Sequence, residues 1–228
     1  MHDPIWMRAL LAVHVAAGSG AFVLAPLALV TVKGGKAHRL WGKIYFWCMS
    51  VVACTALVMA VYRPILFLAL VAIFSFYAAF AAYRVLGQKA AYKGERVIRG
   101  LDWVAAIVCF TASATLALFG AVRPELVQNL RIPAIVFGLI GMRISGRSMW
   151  RFTNQPTEKM FWWYAHLQGM IGSYIAAWTA FCLVTIGPLV HGGWWLWLMP
   201  ISIGLPAIIV TTAYYRRKFG SKPKTALV

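Results

Sequence analysis

The chain has 228 residues, 62% of them hydrophobic and 12% charged, and 22 Lys and Arg stand against five Asp and Glu for a formal charge of +17. A soluble domain carries about 25% charged residues, so the composition excludes an ordinary water-soluble fold and makes lipid the solvent for much of the surface. The positive charge does not indicate a specific nucleic-acid partner, because the basic residues fall between apolar runs, where insertion bias and anionic phospholipid account for them.

The first apolar run, 5–32, is long enough at about 1.5 Å per residue to cross a hydrocarbon layer of roughly 30 Å. It carries His14 and Pro26 without a processing site, and is read as a retained span whose Gly18, Ala21 and Ala25 form a small ridge for helix packing. The stretch 34–45 follows, with Lys36, His38, Arg39 and Lys43 between Gly35 and an aromatic rim of Trp41, Tyr45 and Trp47. It reads as a cytoplasmic loop re-entering the bilayer.

The second span is 44–61 and the third 65–83, joined by a short link containing Pro64. A basic link over 84–99 leads to the fourth span, 101–119, with Asp102 at its entrance and within helical reach of Arg99. The fifth span is 130–149, where Arg143 and Arg147 share a face near the end and snorkel toward water. In the polar turn after it, Asn154 or Thr157 is expected to cap the sixth helix, 161–186. The seventh span, 194–215, contains Pro200, Gly204 and Pro206, which predict a kink.

Of the 22 Lys and Arg, only Arg8, Arg63, Arg123 and Arg131 fall outside if the first, third and fifth links and the tail are cytoplasmic. That bias sets the N-terminus outside and the C-terminus inside. The expectation is an all-α polytopic membrane protein, a seven-transmembrane-helix bundle forming one domain over 1–218, with a flexible cytoplasmic tail over 219–228.

Polar side chains inside such a bundle must find internal partners or line a wet cavity. His14 is the candidate intramembrane polar residue, but its depth separates it from His166, which lies close to the cytoplasmic boundary. His38, Arg39, Asp102, Arg143 and His166 are therefore the candidate ligand-binding or proton-exchange group. Imidazole at physiological pH moves protons, and arginine receives anions. Zinc and iron accept imidazole nitrogen, making His14, His38 and His166 the candidate metal ligands, although no HExxH or paired-cysteine motif accompanies them. Cys48, Cys54, Cys109 and Cys182 read as small apolar packing residues. No spacing identifies a catalytic set, a substrate or an oligomeric state.

The segment Gly35-Lys36-Ala37-His38-Arg39-Leu40-Trp41-Gly42-Lys43-Ile44-Tyr45, preceded by His14, resembles a family of bacterial multi-pass membrane proteins containing a domain of unknown function. The run from His166 through Gly169 and Gly172 to Ala177 is similar to that family too, so the resemblance extends over most of the chain. It implies a bacterial inner-membrane location and groups His14, His38, Arg39 and His166 as one polar set. A broader similarity to membrane cytochromes that ligate haem through helix histidines makes haem a candidate cofactor, although no CxxCH attachment site is present. Membrane lipid, including anionic phospholipid, and a small ligand are the expected partners. A different class, a small-solute transporter, would use the Pro and Gly residues of the seventh span as a discontinuous helix.

Overall fold

In a computed structural model, residues 4–95, 97–128, 130–190 and 193–220 are described. Seven α-helices and no strand are present among them: α1 (Ile5–Val30), α2 (Lys36–Tyr62), α3 (Leu66–Arg84), α4 (Gly100–Val122), α5 (Arg131–Thr153), α6 (Phe161–Phe181) and α7 (Met199–Gly220). Among the described residues five segments are long and apolar enough to cross a membrane: Ile5–Val30, Lys36–Tyr62, Leu66–Gly87, Gly100–Val122 and Trp194–Phe219. The protein is an all-α membrane protein. α5 and α6 are more polar, α5 because of Arg143, Arg147 and Arg151, and α6 because of His166, Gln168 and Ser173.

α3 occupies the centre, packing against α2, α4, α5 and α6, while α1 lies on α2 and α7 on α6. Small residues set two of these approaches. A Cβ on Gly138 would lie 2.6 Å from both Ala117 Cβ and Ser113 O, so the close contact of α5 with α4 requires glycine there. A Cβ on Gly169 would lie 2.6 Å from Ala82 Cβ and 2.9 Å from Ala78 O, which brings α6 onto the last turns of α3. A Cβ on Gly172, by contrast, would meet nothing within 4 Å. Where α3, α4 and α5 meet at the other end, Phe67, Leu116, Val127 and Phe137 form a core cluster.

The largest correction to the expected boundaries is at α2, which begins eight residues before the expected span at 44. Gly34 takes φ +78° and Gly35 is the N-cap, so the reversal is completed at 34–35 and Lys36 to Tyr62 runs as one helix. His38, Arg39 and Lys43 are helical residues, not loop residues. α4 likewise extends to Val122 and α5 to Thr153, with Pro133 accommodated in the first turn of α5. Asn154 ends α5, its Nδ2 donating to Trp150 O at 2.8 Å, while α6 starts after Met160 with no side-chain cap; neither Asn154 nor Thr157 caps it.

α6 ends at Phe181 and passes into a π turn over Cys182–Ile186, short of a single helix to 186. The seventh segment opens as a 3-10 turn at Trp194–Trp197 and continues through Pro206 without a break. Phe219 and Gly220 belong to α7; the rest of the expected tail, 221–228, lies outside the described residues, as does His191.

Candidate functional site

His38 sits in the first turn of α2 and His166 in the second turn of α6. Each is tied to a helix that ends beside it. His38 Nδ1 is 2.9 Å from Ala28 O in the last turn of α1, and His166 Nδ1 is 2.8 Å from Ala82 O in the last turn of α3. Carbonyls there begin to lack in-helix donors and lie at the negative end of the helix dipole. A carbonyl only accepts, so in each neutral ring Nδ1 carries the proton and Nε2 keeps its lone pair.

The two rings face one another with centroids 6.3 Å apart and planes at 76°. Both line a cavity of about 530 Å³, a size suited to a small organic ligand or cofactor. Ala25, Leu29, Met170 and Ile171 supply apolar wall, and Arg39, Lys43 and Arg84 supply cations; among the described residues no Asp or Glu lines it. Tyr45, also in the lining, is held at 2.7 Å from Ser173 Oγ, whose own proton goes to Met170 O at 2.9 Å, so the tyrosine hydroxyl donates to the serine. Burial of Tyr45 and Ser173 fixes this wall between α2 and α6.

The remaining expected site residues disperse. Asp102 does not join the histidines. It is buried at the start of α4, where Oδ1 accepts from Arg84 Nε at 2.8 Å and Oδ2 accepts from Arg84 Nη2 and the Arg99 backbone N–H, both at 2.9 Å. Its side-chain hydrogen-bond partner is thus Arg84 and not Arg143, with Arg99 donating its backbone N–H. Arg143 is exposed on α5 and lines neither this cavity nor the smaller one containing Asp102. The reason is that α5 continues to Thr153, which places Arg143 about 15 Å from the helix end at 1.5 Å per residue. Of the five candidate residues, the cavity brings together His38 and His166, with Arg39 at its wall.

His14 stands apart as well. Its Nδ1 is 2.8 Å from Thr55 Oγ1, and that hydroxyl donates to Val51 O at 2.7 Å, so Thr55 receives the imidazole proton and the contact joins α1 to α2. Fourteen residues separate His14 from Ala28, about 21 Å along the helix. Among the described residues no three His, Cys, Asp or Glu converge on a metal-sized position.

Arg84 is the residue that sequence reasoning passed over. It was placed in a basic link, yet it belongs to α3 and lines both the histidine cavity and the pocket around Asp102. Eighteen residues separate it from Asp102, so no local spacing announces the pair. The usable signal is an acid at the third position of one helix following a lone arginine at the end of the previous one.

No family model, curated protein or solved structure matches the chain.

The pair of histidines can be tested against a single shared metal centre. With an Nε2–metal bond of about 2.1 Å and a ring radius of roughly 1.2 Å, two imidazoles on opposite sides of one metal hold their centroids at most about 6.6 Å apart. The observed 6.3 Å falls within that limit. Two ligands alone do not complete a tetrahedral zinc site. They do suit an iron whose other positions come from a macrocycle, and the cationic, carboxylate-free wall suits acidic substituents on such a group.

Proposed function

We propose that this chain is a bacterial inner-membrane protein that holds an amphipathic, acidic cofactor of the haem class between α2 and α6. The observation that carries the reading is the pair of imidazoles, each with Nδ1 tied to a backbone carbonyl and each wall of the cavity presenting one ring. His38 and His166 are the iron ligands in this reading. Ala28 O and Ala82 O act as their outer partners, fixing the tautomer and orientation of each ring. Haem, when bound, supplies one-electron chemistry. The chain's own residues orient it, exclude water with Ala25, Leu29, Met170 and Ile171, and place Arg39 and Lys43 toward the polar boundary.

The same reading places all seven helices across the membrane, α5 and α6 included, with the N-terminus outside. Lys33 after α1 and the basic last turns of α3, α5 and α7 then face the cytoplasm, and so does the cavity. Reporters fused after Gly35, Lys89, Asn154 and Lys218 should read cytoplasm, and those after Arg63, Glu125 and Gly192 the opposite side. A reversed pattern would overturn the orientation.

The cofactor is tested on protein purified in mild detergent from a haem-replete host. A stoichiometric Soret band that shifts on reduction is expected, and His166→Ala or His38→Ala should remove or displace it. Folded protein with no chromophore, and no spectral change on adding haemin, would rule the haem reading out.

A further inference from the structure

Arg84 occupies an unusual position for a buried ion pair. Asp102, 2% exposed, is saturated by Arg84 Nε, Arg84 Nη2 and the Arg99 N–H, whereas the Arg84 side chain retains 26% exposure. A guanidinium has five N–H donors in a fixed plane, and Asp102 takes two of them. Arg84 also lines the histidine cavity, whose lining includes Arg39 and Lys43 and, among the described residues, no acid. The pair is neutral by itself, so the net positive charge of the lining comes from Arg39 and Lys43. Arg39 and Lys43 are exposed residues of the first turns of α2. Arg84 differs from them in being locked in orientation by a buried carboxylate, which makes it suited to fixing a ligand and not merely attracting one.

We infer that Arg84 is the anion anchor of the cavity: Asp102 holds its guanidinium so that the remaining donors receive a carboxylate on the ligand. Only the opposite, imidazole-facing pole of that ligand rests on the haem reading. Asp102 is a positioning residue, acting through Arg84. The ligand class is accordingly an apolar body bearing at least one carboxylate.

The test uses the full chain in detergent micelles, corrected against protein-free micelles, with two pairs of probes. Haemin and its dimethyl ester are titrated by the Soret shift, which reads iron ligation. Parinarate and its methyl ester are titrated by fluorescence, which reads the carboxylate without iron. The expected result is acid binding about tenfold or more tighter than ester in both pairs. Arg84→Gln should bring the ratio to about one while ester affinity stays unchanged. Asp102→Asn should lower it part-way. Because Arg84→Gln leaves Asp102 buried and unpaired, the neutral double variant Arg84→Gln/Asp102→Asn is the second test in case the single variant fails to fold, and it too should abolish the ratio.

A wild-type ratio of one, absence of parinarate binding, or a double variant that keeps the preference would overturn the anchor. The two readings fail separately. No Soret shift with an intact parinarate preference removes haem and keeps the anchor, whereas equal Soret binding of haemin and its diester, with no parinarate preference, keeps haem and removes the anchor.

Discussion

Gly169→Ala tests how the fold builds the site, because the glycine sits where α6 touches α3 and one turn below His166. The added Cβ would lie 2.6 Å from Ala82 Cβ and 2.9 Å from Ala78 O, against an ordinary carbon contact of about 3.5–4.0 Å. The helices must therefore separate by about 1 Å. That displacement would stretch the His166 Nδ1 to Ala82 O bond, now 2.8 Å, beyond hydrogen-bonding distance. Overpacking of this kind costs about 1–3 kcal/mol, and the weakened hydrogen bond adds roughly 0.5–1.5 kcal/mol. At about 2–4 °C per kcal/mol for a chain of this size, the melting temperature should fall by several degrees in a detergent thermal-shift assay. Gly172→Ala is the matched control: its Cβ meets nothing within 4 Å, and alanine is the better helix former by up to ~1 kcal/mol. If Gly169→Ala melts at the Gly172→Ala temperature and binds haemin as well, α6 is not positioned by this contact and the reasoning fails.

Thr55→Val keeps the shape of the side chain but leaves His14 Nδ1–H without its acceptor, which should cost about 1–3 kcal/mol by thermal shift and leave ligand binding at the distant cavity unchanged. Asp102→Ala strands Arg84 and should destabilise by about 3 kcal/mol or more, whereas the apolar pair Asp102→Leu/Arg84→Met should recover much of that stability, as measured by the same melts. Gly138→Ala places its Cβ 2.6 Å from a carbonyl oxygen that has no side-chain freedom to yield, and should lower folded yield more than Gly169→Ala.

The helices were legible because lipid imposes a length and a composition on each span, and the apolar runs report both directly. Their ends were less so. The basic residues at 36–43 satisfied the sequence pattern of a loop, but positive-inside charge marks a side of the membrane and is indifferent to whether the backbone there is helical. That single misplacement put His38 on a loop when it faces His166 from a helix. Depth counting sets His14 apart from His166, since rise per residue is a fixed quantity, and in the structure His14 pairs with Thr55, about 21 Å along α1 from the carbonyl that holds His38. Depth counting failed for Arg143, because an uncertain helix end shifts every depth counted from it, and because depth says nothing of rotation about the axis. Arg84 was missed for a related reason: its partner is brought to it by packing of α4 on α3, not by sequence spacing.

The bonds from Nδ1 to Ala28 O and Ala82 O are compatible with two roles, a helix-end cap that locks the bundle and a tether that aims Nε2 at a ligand. Alanine substitutions remove both roles together, so loss of binding in His166→Ala does not separate them. Asparagine does, because its side-chain amide places an N–H donor near the Nδ1 position and nothing near Nε2. His166→Asn is expected to keep the bond to Ala82 O and hence the melting temperature, within the roughly 1 kcal/mol that one hydrogen bond contributes, while losing the Soret shift. His38→Asn should behave alike through Ala28 O. Glutamine, whose amide reaches nearer Nε2, should invert the pattern by destabilising the helix end and offering iron only a poor ligand. Retention of the Soret shift in both asparagine variants would show that neither imidazole is a ligand, and the two histidines would then be caps at the ends of α1 and α3 and nothing more.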